Sequence, residues 1–188
     1  MALLKRNKIN TGIDTDRLSK RKLLKESADI INVEVINITA GEVVCVNPKT
    51  REVITWEESG DTRVMTLEMF YDLYYSSKEL FRTLALGVSE VYFGDALDVD
   101  LKDVLDSVDL LEIYSPFNYD IGDIDTIVVD YNIDEFNAFL DKVSRKIVER
   151  VCERYLYLKR SGYVNDPTKE KILSTLVEDN YIFTPNQA

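Results

Sequence analysis

The chain has 188 residues, a formal net charge of −11 and 45% hydrophobic residues, which is the composition of a globular protein with one ordinary domain or two small ones. Histidine is absent, which excludes Ser-His-Asp, Cys-His and histidine general-base chemistry. No apolar run approaches the roughly 18 residues that span a bilayer, and the N-terminal residues lack the apolar segment of a secretory signal, so we expect a protein that folds in a cytoplasm, without a membrane partner.

Charge is distributed unevenly along the chain. Residues 1–25 hold eight Lys or Arg against two Asp, residues 26–140 hold six against 25 acidic residues, and residues 141–160 hold seven against three. We therefore divide the chain into a basic N-terminal arm (1–30), an α+β domain with an acidic linker (31–131) and a helical C-terminal part (132–188). Because the acidic body repels nucleic-acid phosphates, nucleic acid is not an expected partner.

The N-terminal arm has weak hydrophobic periodicity, with at most a short helix near Leu18 to Leu24. Such a segment has too little apolar surface to offset its ordering entropy alone, so we expect it to be mobile in the isolated chain. Two interpretations stay open: a solvated tail, or an arm that becomes ordered on an acidic neighbour such as another copy of the chain. The candidate partner-binding residues are Lys5, Arg6, Lys8, Arg17, Lys20, Arg21 and Lys22.

Residues 31–57 have the pattern of β-structure. The segments INVEVIN, EVVCV and EVITW are short runs rich in β-branched residues, and Asn47-Pro48 opens the connection between the last two. Since Pro fixes φ near the value that the second position of a type I turn needs, we predict a β-hairpin with Trp56 at least partly buried. Gly60-Asp61 marks another turn before a short strand, TRVMT.

Helical and extended patterns alternate through the middle of the chain. Thr66 is a predicted N-cap, and Ser76-Ser77-Lys78-Glu79 predicts a second helix that ends at Gly87. The segment VSEVYF is expected to be a strand that joins the small sheet. Asp100 is expected to cap a helix over residues 100–110, and residues 112–131 are predicted to form a loop followed by a short strand or extended segment that includes TIVV.

The C-terminal third has the most regular pattern. Asn132 is a good N-cap with Glu135 three residues later, and apolar residues then recur at helical spacing to about Arg160, which predicts one long helix ended by Gly162. Asp166-Pro167 predicts the start of another helix, followed by an extended tail, YIFTPNQA. The expected fold class is therefore α+β, with a small antiparallel β unit followed by a helical C-terminal part that ends in an αα-hairpin.

Few residues suggest chemistry. The stretch from Asp95 to Glu135 holds 13 acidic residues and a single base, Lys102, and loop carboxylates can bind calcium or magnesium. The segment around Gly122 lacks the spacing and the final glutamate of an EF-hand, so helix caps and a solvated acidic face explain the stretch better. Cys45 and Cys152 are interpreted as small buried hydrophobes. We predict no catalytic, metal-binding or cofactor-binding residue and no cofactor.

The basic C-terminal helix keeps an alternative function open. Seven Lys or Arg lie between residues 141 and 160, and a turn and second helix follow, as in a helix-turn-helix protein. The connection after Tyr157 is longer than the usual turn, and Glu149 and Glu153 offset several bases at i,i+4 spacing. A regulatory or DNA-binding protein that uses these helices is therefore the alternative, and a metal-dependent enzyme built on the acidic stretch is a third hypothesis.

The segment from Arg51 to Phe70 resembles small proteins encoded by large tailed bacteriophages. In those proteins a hairpin ending in TGE-x-I-x-W-x-x-x-GD leads into an MT-x-x-E helix. The matching residues here are Trp56, Gly60, Asp61, Met65 and Thr66. This chain departs from the pattern at Arg51, where those proteins have Gly, and at Met69, where an acid is expected.

The resemblance is carried mainly by residues 51–93 and covers about residues 30–180, where the second half is similar in plan through an acidic linker and a two-helix end. It implies a virion structural protein, such as a capsid or head-tail connector component in the head, neck or tail, and no catalytic residues. We therefore expect a non-enzymatic structural or adaptor component of a tailed-phage virion. It would be made in the host cytoplasm and would bind other virion proteins, as a homo-oligomer or in many copies.

Overall fold

The structure is a computed structural model that describes residues 11–93 and 97–177. Its strands are β1 (Asn32–Asn37), β2 (Val43–Val46), β3 (Val53–Trp56), β4 (Thr62–Thr66) and β5 (Leu86–Tyr92). Its helices are α1 (Thr11–Glu26), α2 (Leu67–Ser76), α3 (Lys78–Arg82), α4 (Leu101–Ser107), α5 (Leu111–Tyr114), α6 (Asp123–Val129), α7 (Ile133–Leu140), α8 (Arg145–Arg160) and α9 (Pro167–Leu176). The predicted α+β fold class, with a small antiparallel sheet and a helical C-terminal part, is confirmed.

The larger sheet has three antiparallel strands in the order β4-β1-β5. The central strand β1 alternates in burial, as expected when one sheet face packs on the core. Val33 and Val35 lie on the buried face, and a register shift in the pairing with β5 falls between Glu34 and Val35. The segment VSEVYF thus joins the sheet as predicted, through β5.

Strands β2 and β3 form a separate antiparallel hairpin, which confirms that prediction. The side chain of Asn47 accepts hydrogen bonds from the backbone N–H of Lys49 (2.8 Å) and Thr50 (3.0 Å), and Arg51 N closes the loop on Asn47 O at 3.0 Å. Trp56 is fully buried, also as predicted, and its indole Nε1 donates to Val35 O of β1 at 2.9 Å. This bond ties the hairpin to the central strand of the larger sheet.

Helices α2 and α3 follow the predicted order but not the predicted length. Thr66 caps α2 through its side chain, which accepts from Met69 N at 3.3 Å. The second helix ends at Arg82 rather than at Gly87, because Leu84 takes a positive φ of 52° and Leu86 already begins β5. A single positive-φ residue is compatible with a turn but not with a continuing right-handed helix.

The prediction of a loop and a strand for residues 112–131 is wrong, since this region contains α5, a 3-10 turn (Ser115–Phe117) and α6. The run TIVV lies within α6. Ile124, Ile127 and Val128 are buried at i, i+3, i+4 spacing, so the apolar run is the inner face of a short helix. A run this short does not distinguish a buried strand from a buried helix by periodicity.

The predicted long C-terminal helix is also wrong, because two helices replace it. Helix α7 ends at Leu140, and Ser144 in extended conformation starts α8 by accepting from Ile147 N and Val148 N through its carbonyl. The break was hidden because buried residues continue at helical spacing on either side of it. The predicted end at Gly162 is confirmed, with a φ of 79° and the 6→1 bond from Tyr163 N to Leu158 O at 2.9 Å.

One continuous apolar cluster joins the elements, from Leu24 in α1 to Leu173 in α9. It crosses the predicted boundaries after residues 30 and 131. Asp166 caps α9 as predicted, by accepting from Thr168 N at 2.9 Å, and α9 packs against α8 as an αα-hairpin. The C-terminal tail, predicted to be extended, lies outside the described residues.

Candidate protein-binding surface

The predicted partner-binding residues that the structure describes lie on α1, which is longer than the short helix expected near Leu18 to Leu24. Their main contacts are with α4 of the same chain. Arg17 Nη2 lies 2.6 Å from Asp106 Oδ1, Lys20 Nζ 2.9 Å from Asp103 Oδ2, and Arg21 Nε 3.1 Å from Asp106 Oδ2. Lys22 pairs with Glu26 on its own helix at 3.5 Å, and Lys5, Arg6 and Lys8 lie outside the described residues.

These contacts change the electrostatics of α4. Burial raises the pKa of the Asp106 carboxyl, but the guanidiniums of Arg17 and Arg21 outweigh burial and leave that pKa below its usual value. The hydrogen bond from Lys20 to Asp103 raises the pKa of the Lys20 ammonium. Part of the basic arm thus binds acidic residues of its own chain, and its role towards a partner stays a prediction.

The acidic stretch is largely engaged within the chain. Asp100 and Asp103 form a reciprocal capping box at the start of α4. Asp125 binds Arg154 through two bonds, Nε to Oδ1 at 2.6 Å and Nη2 to Oδ2 at 2.8 Å. Within residues 11–93 and 97–177 no group of three or more Cys, Asp or Glu is arranged to hold a metal ion.

Basic side chains of helix α8 also form ion pairs within the chain. Besides its bonds to Asp125, Arg154 stacks over the Tyr157 ring at 4.8 Å, and Lys159 Nζ lies 2.6 Å from Glu170 Oε2. Arg150 pairs with Glu153 on the same helix. Positive charge that is neutralised within the chain attracts phosphate weakly, so this surface gives the DNA-binding alternative little support.

Sequence reasoning missed a buried lysine. Lys169 is 2% exposed, and its Nζ donates to the carbonyl of Val128 at 2.8 Å and, more weakly, to that of Val129 at 3.4 Å, at the end of α6. The ammonium also lies 5.4 Å from the centroid of the Phe136 ring. Burial lowers the pKa of Lys169. Lys169 lies one helical turn before the inward-facing Leu173, and this spacing was the signal in the sequence that its side chain is buried. The side chain connects α9 to α6.

The outer face of the hairpin carries exposed apolar side chains. Val44, Val46 and Val53 are 51%, 47% and 62% exposed, while the alternate residues on both strands are buried. Val46 lies directly opposite Val53, and Val44 opposite Thr55, so the four side chains form one patch. We call this patch the valine face.

The valine face has a signal in the sequence. The runs VVCV and VIT are apolar at nearly every position, whereas strands with one solvated face alternate apolar and polar residues. Continuous apolar runs are typical of strands that are covered on both sides. The inner residues Val43, Cys45, Ile54 and Trp56 meet the core, and the valine face is the side that no described residue covers.

Cys45 and Cys152 are both buried, as predicted, and they form no disulfide with each other. Burial raises the pKa of each thiol. Among the helices of the described ranges, none is both long and apolar enough to cross a membrane. Comparison with protein-family models, with curated proteins and with solved structures found no match to this chain.

Proposed function

We propose that this chain works by binding other proteins, as a non-enzymatic structural or adaptor component of a tailed-phage virion. The observation that carries the proposal is the valine face, a contiguous apolar surface on an otherwise strongly acidic protein. Contiguous exposed apolar surface on a folded domain is typical of a protein-binding site. Residues 51–93 resemble small phage virion proteins, which favours a virion as the assembly. Strand β3, which carries Val53 of the valine face, lies within this segment.

The location of the patch suits an attachment point. The hairpin is fixed to the body by the buried Trp56 and its bond to Val35 O, and by the ion pair of Lys49 Nζ with Asp72 Oδ1 at 2.9 Å. A rigidly held patch binds with less entropy loss than a flexible loop. The valine face would therefore dock without rearrangement of the body.

A charged hairpin variant tests the proposal. In Val46→Glu/Val53→Lys, the two residues lie directly opposite each other, so the new charges attract and the hairpin keeps a favourable cross-strand pair. The matched control is Val64→Lys, at a valine that is similarly exposed but lies on β4. During infection, the double variant should be lost from gradient-purified particles, while the control is incorporated like the wild type. Equal incorporation of both variants would contradict the proposal.

A retention assay separates this proposal from the DNA-binding alternative. A DNA-binding protein is retained on immobilised duplex DNA at low salt and released as salt rises, because it displaces counterions. The chain proposed here should pass through such a column at all salt concentrations. Retention that falls steeply with salt would favour the alternative.

A further inference from the structure

The outer edge of β3 has backbone groups that bond to no described residue. Asn47 N donates to Glu52 O at 2.9 Å, which sets the alternation of bonded pairs along the antiparallel hairpin. The residues of β3 that bond to β2 are therefore Ile54 and Trp56. Val53 and Thr55 direct their N–H and C=O groups away from β2, and no other described residue bonds them.

The sequence of this strand also lacks the residues by which proteins often protect a sheet edge. Soluble proteins blunt such edges with an edge Lys or Pro, a bulge, or a covering helix or loop. The strand itself, VITW, contains no charge and no Pro, and Val53 at its start is 62% exposed. Arg51 and Glu57 are exposed and flank the strand, and neither forms an ion pair with any described residue.

We propose that β3 pairs with β3 of a second copy of the chain, antiparallel about a twofold axis at Ile54. This proposal rests on the proposed function and names one of the chain's partners. This register matches the free backbone groups, because Val53 then lies opposite Thr55 of the second copy. The N–H and C=O groups of both residues point towards the other copy. Each of these two equivalent pairs can exchange two hydrogen bonds.

The flanking charges select this register. With the axis at Ile54, Arg51 of each copy, which precedes β3 and has a φ of 63°, lies near Glu57 of the other copy. The two long side chains can then form two complementary pairs. With the axis at Thr55, Glu52 would lie opposite Glu58 of the other copy, which is repulsive. With the axis at Val53, Arg51 would lie opposite Thr55, and Glu57 would lie opposite Lys49, whose ammonium already pairs with Asp72 at 2.9 Å. Both Arg51–Glu57 pairs would be lost.

Pairing would join the two hairpins into one four-stranded sheet. Residues directly opposite each other in a sheet share a face, so the valine faces of both copies would form one continuous apolar surface. Strands of four residues bury less area than the roughly 1,200–2,000 Å² of a standard stable interface, so the isolated dimer should be weak. Attachment to a common scaffold would strengthen it through effective concentration.

Charge exchange tests the register. Arg51→Glu and Glu57→Arg each replace both complementary pairs by like-charge pairs, whereas a mixture of the two variants restores both pairs in the heterodimer. In sedimentation equilibrium at low salt, each variant alone should dimerise with a Kd about tenfold higher than the wild type. The equimolar mixture should return to the wild-type Kd. Variants that match the wild type, or a mixture without recovery, would overturn the register.

A proline pair tests the edge independently of charge. Thr55→Pro removes an N–H that points to the proposed partner, and Val44→Pro removes the equivalent N–H on the opposite edge of the hairpin. Both should fold, as checked by circular dichroism, and only Thr55→Pro should be monomeric. Self-pairing would be refuted if the wild-type chain stayed monomeric at concentrations up to about 1 mM, which is the Kd of a weak complex. If the Val46→Glu/Val53→Lys variant were then still excluded from particles, the proposed function would stand without this inference.

Discussion

Replacing the buried lysine of α9 tests how the C-terminal helices are held together. In Lys169→Met the side chain keeps its approximate volume but loses the ammonium that bonds Val128 O at 2.8 Å and Val129 O at 3.4 Å. A hydrogen bond to a charged group contributes about 1.5–3 kcal/mol, and the contact with the Phe136 ring adds about 0.5–1 kcal/mol. Relief of the desolvated charge offsets part of this loss.

We therefore expect Lys169→Met to lower the free energy of unfolding by about 2 kcal/mol at neutral pH, which corresponds to a fall in Tm of roughly 4–8 °C for a chain of this size. Urea denaturation measures this directly, with an unchanged slope indicating an intact fold. Lys171→Met is the matched control, because Lys171 lies on the same helix but is exposed. The control should stay within about 0.5 kcal/mol of the wild type.

The pH dependence of the same variant provides a second readout. Because burial makes the pKa of Lys169 lower in the folded chain than in the unfolded one, the unfolded chain binds the proton more tightly. The wild type should therefore gain stability relative to Lys169→Met as pH rises from the folded-state pKa to about 10.5, the pKa of the unfolded lysine. A variant as stable as the wild type at neutral pH, or a difference that does not grow with pH, would refute this explanation.

Three further predictions concern the hairpin and the N-terminal helix. Arg51 has a φ of 63°, a left-handed conformation that strains a residue with a Cβ atom. Arg51→Gly should therefore raise the free energy of unfolding by about 0.5–1 kcal/mol in urea denaturation of the monomer, and a loss of stability would contradict this backbone strain. Trp56→Phe should cost about 2–4 kcal/mol in the same assay, because it leaves a void and removes the indole bond to Val35 O, and a cost below about 1 kcal/mol would contradict the anchoring role. Asp106→Asn should speed amide exchange in α1 at neutral pH, because it removes the ion pairs that hold α1 on α4. The lowered pKa of Asp106 means that these pairs contribute stability above about pH 3.9, which is lost as pH falls through the folded-state pKa. Unchanged exchange in α1 would show that the ion pairs do not hold it.

The elements that the sequence predicted correctly have local chemical signals. The hairpin follows from Asn47-Pro48 between two β-branched runs, and Thr66, Asp100 and Asn132 cap the helices at which they were placed. A cap or a turn depends on residues within four positions of one another, so a single sequence contains the whole signal.

The errors arise where distant contacts decide. The run TIVV is a helix because Ile127 and Val128 pack into a core built by other segments. The chain breaks at Ser144 although apolar spacing continues across it, since periodicity reports which face is buried and not whether the backbone is continuous. The bases of helix α1 meet Asp103 and Asp106, about 85 residues away in sequence, and contacts over that distance have no local signal.

The valine face could have been anticipated only in part. An apolar run such as VVCV predicts that both sides of a strand are covered, but the sequence alone does not tell which side the core covers. The structure places Cys45 inward and Val44 and Val46 outward. Which side of β2 is exposed therefore depends on the fold. Under the proposed function, a partner protein would cover that side.

The central claim, that this chain is a protein-binding component of a virion, is tested most directly by counting its copies in purified particles. Virions are purified by density gradient, treated with nuclease and washed at high salt, and the chain is quantified by mass spectrometry against an isotope-labelled standard. A structural component should be present in a fixed, multi-copy number per particle that survives the wash. A chain that is abundant in the infected lysate but absent from the washed particles would contradict the claim.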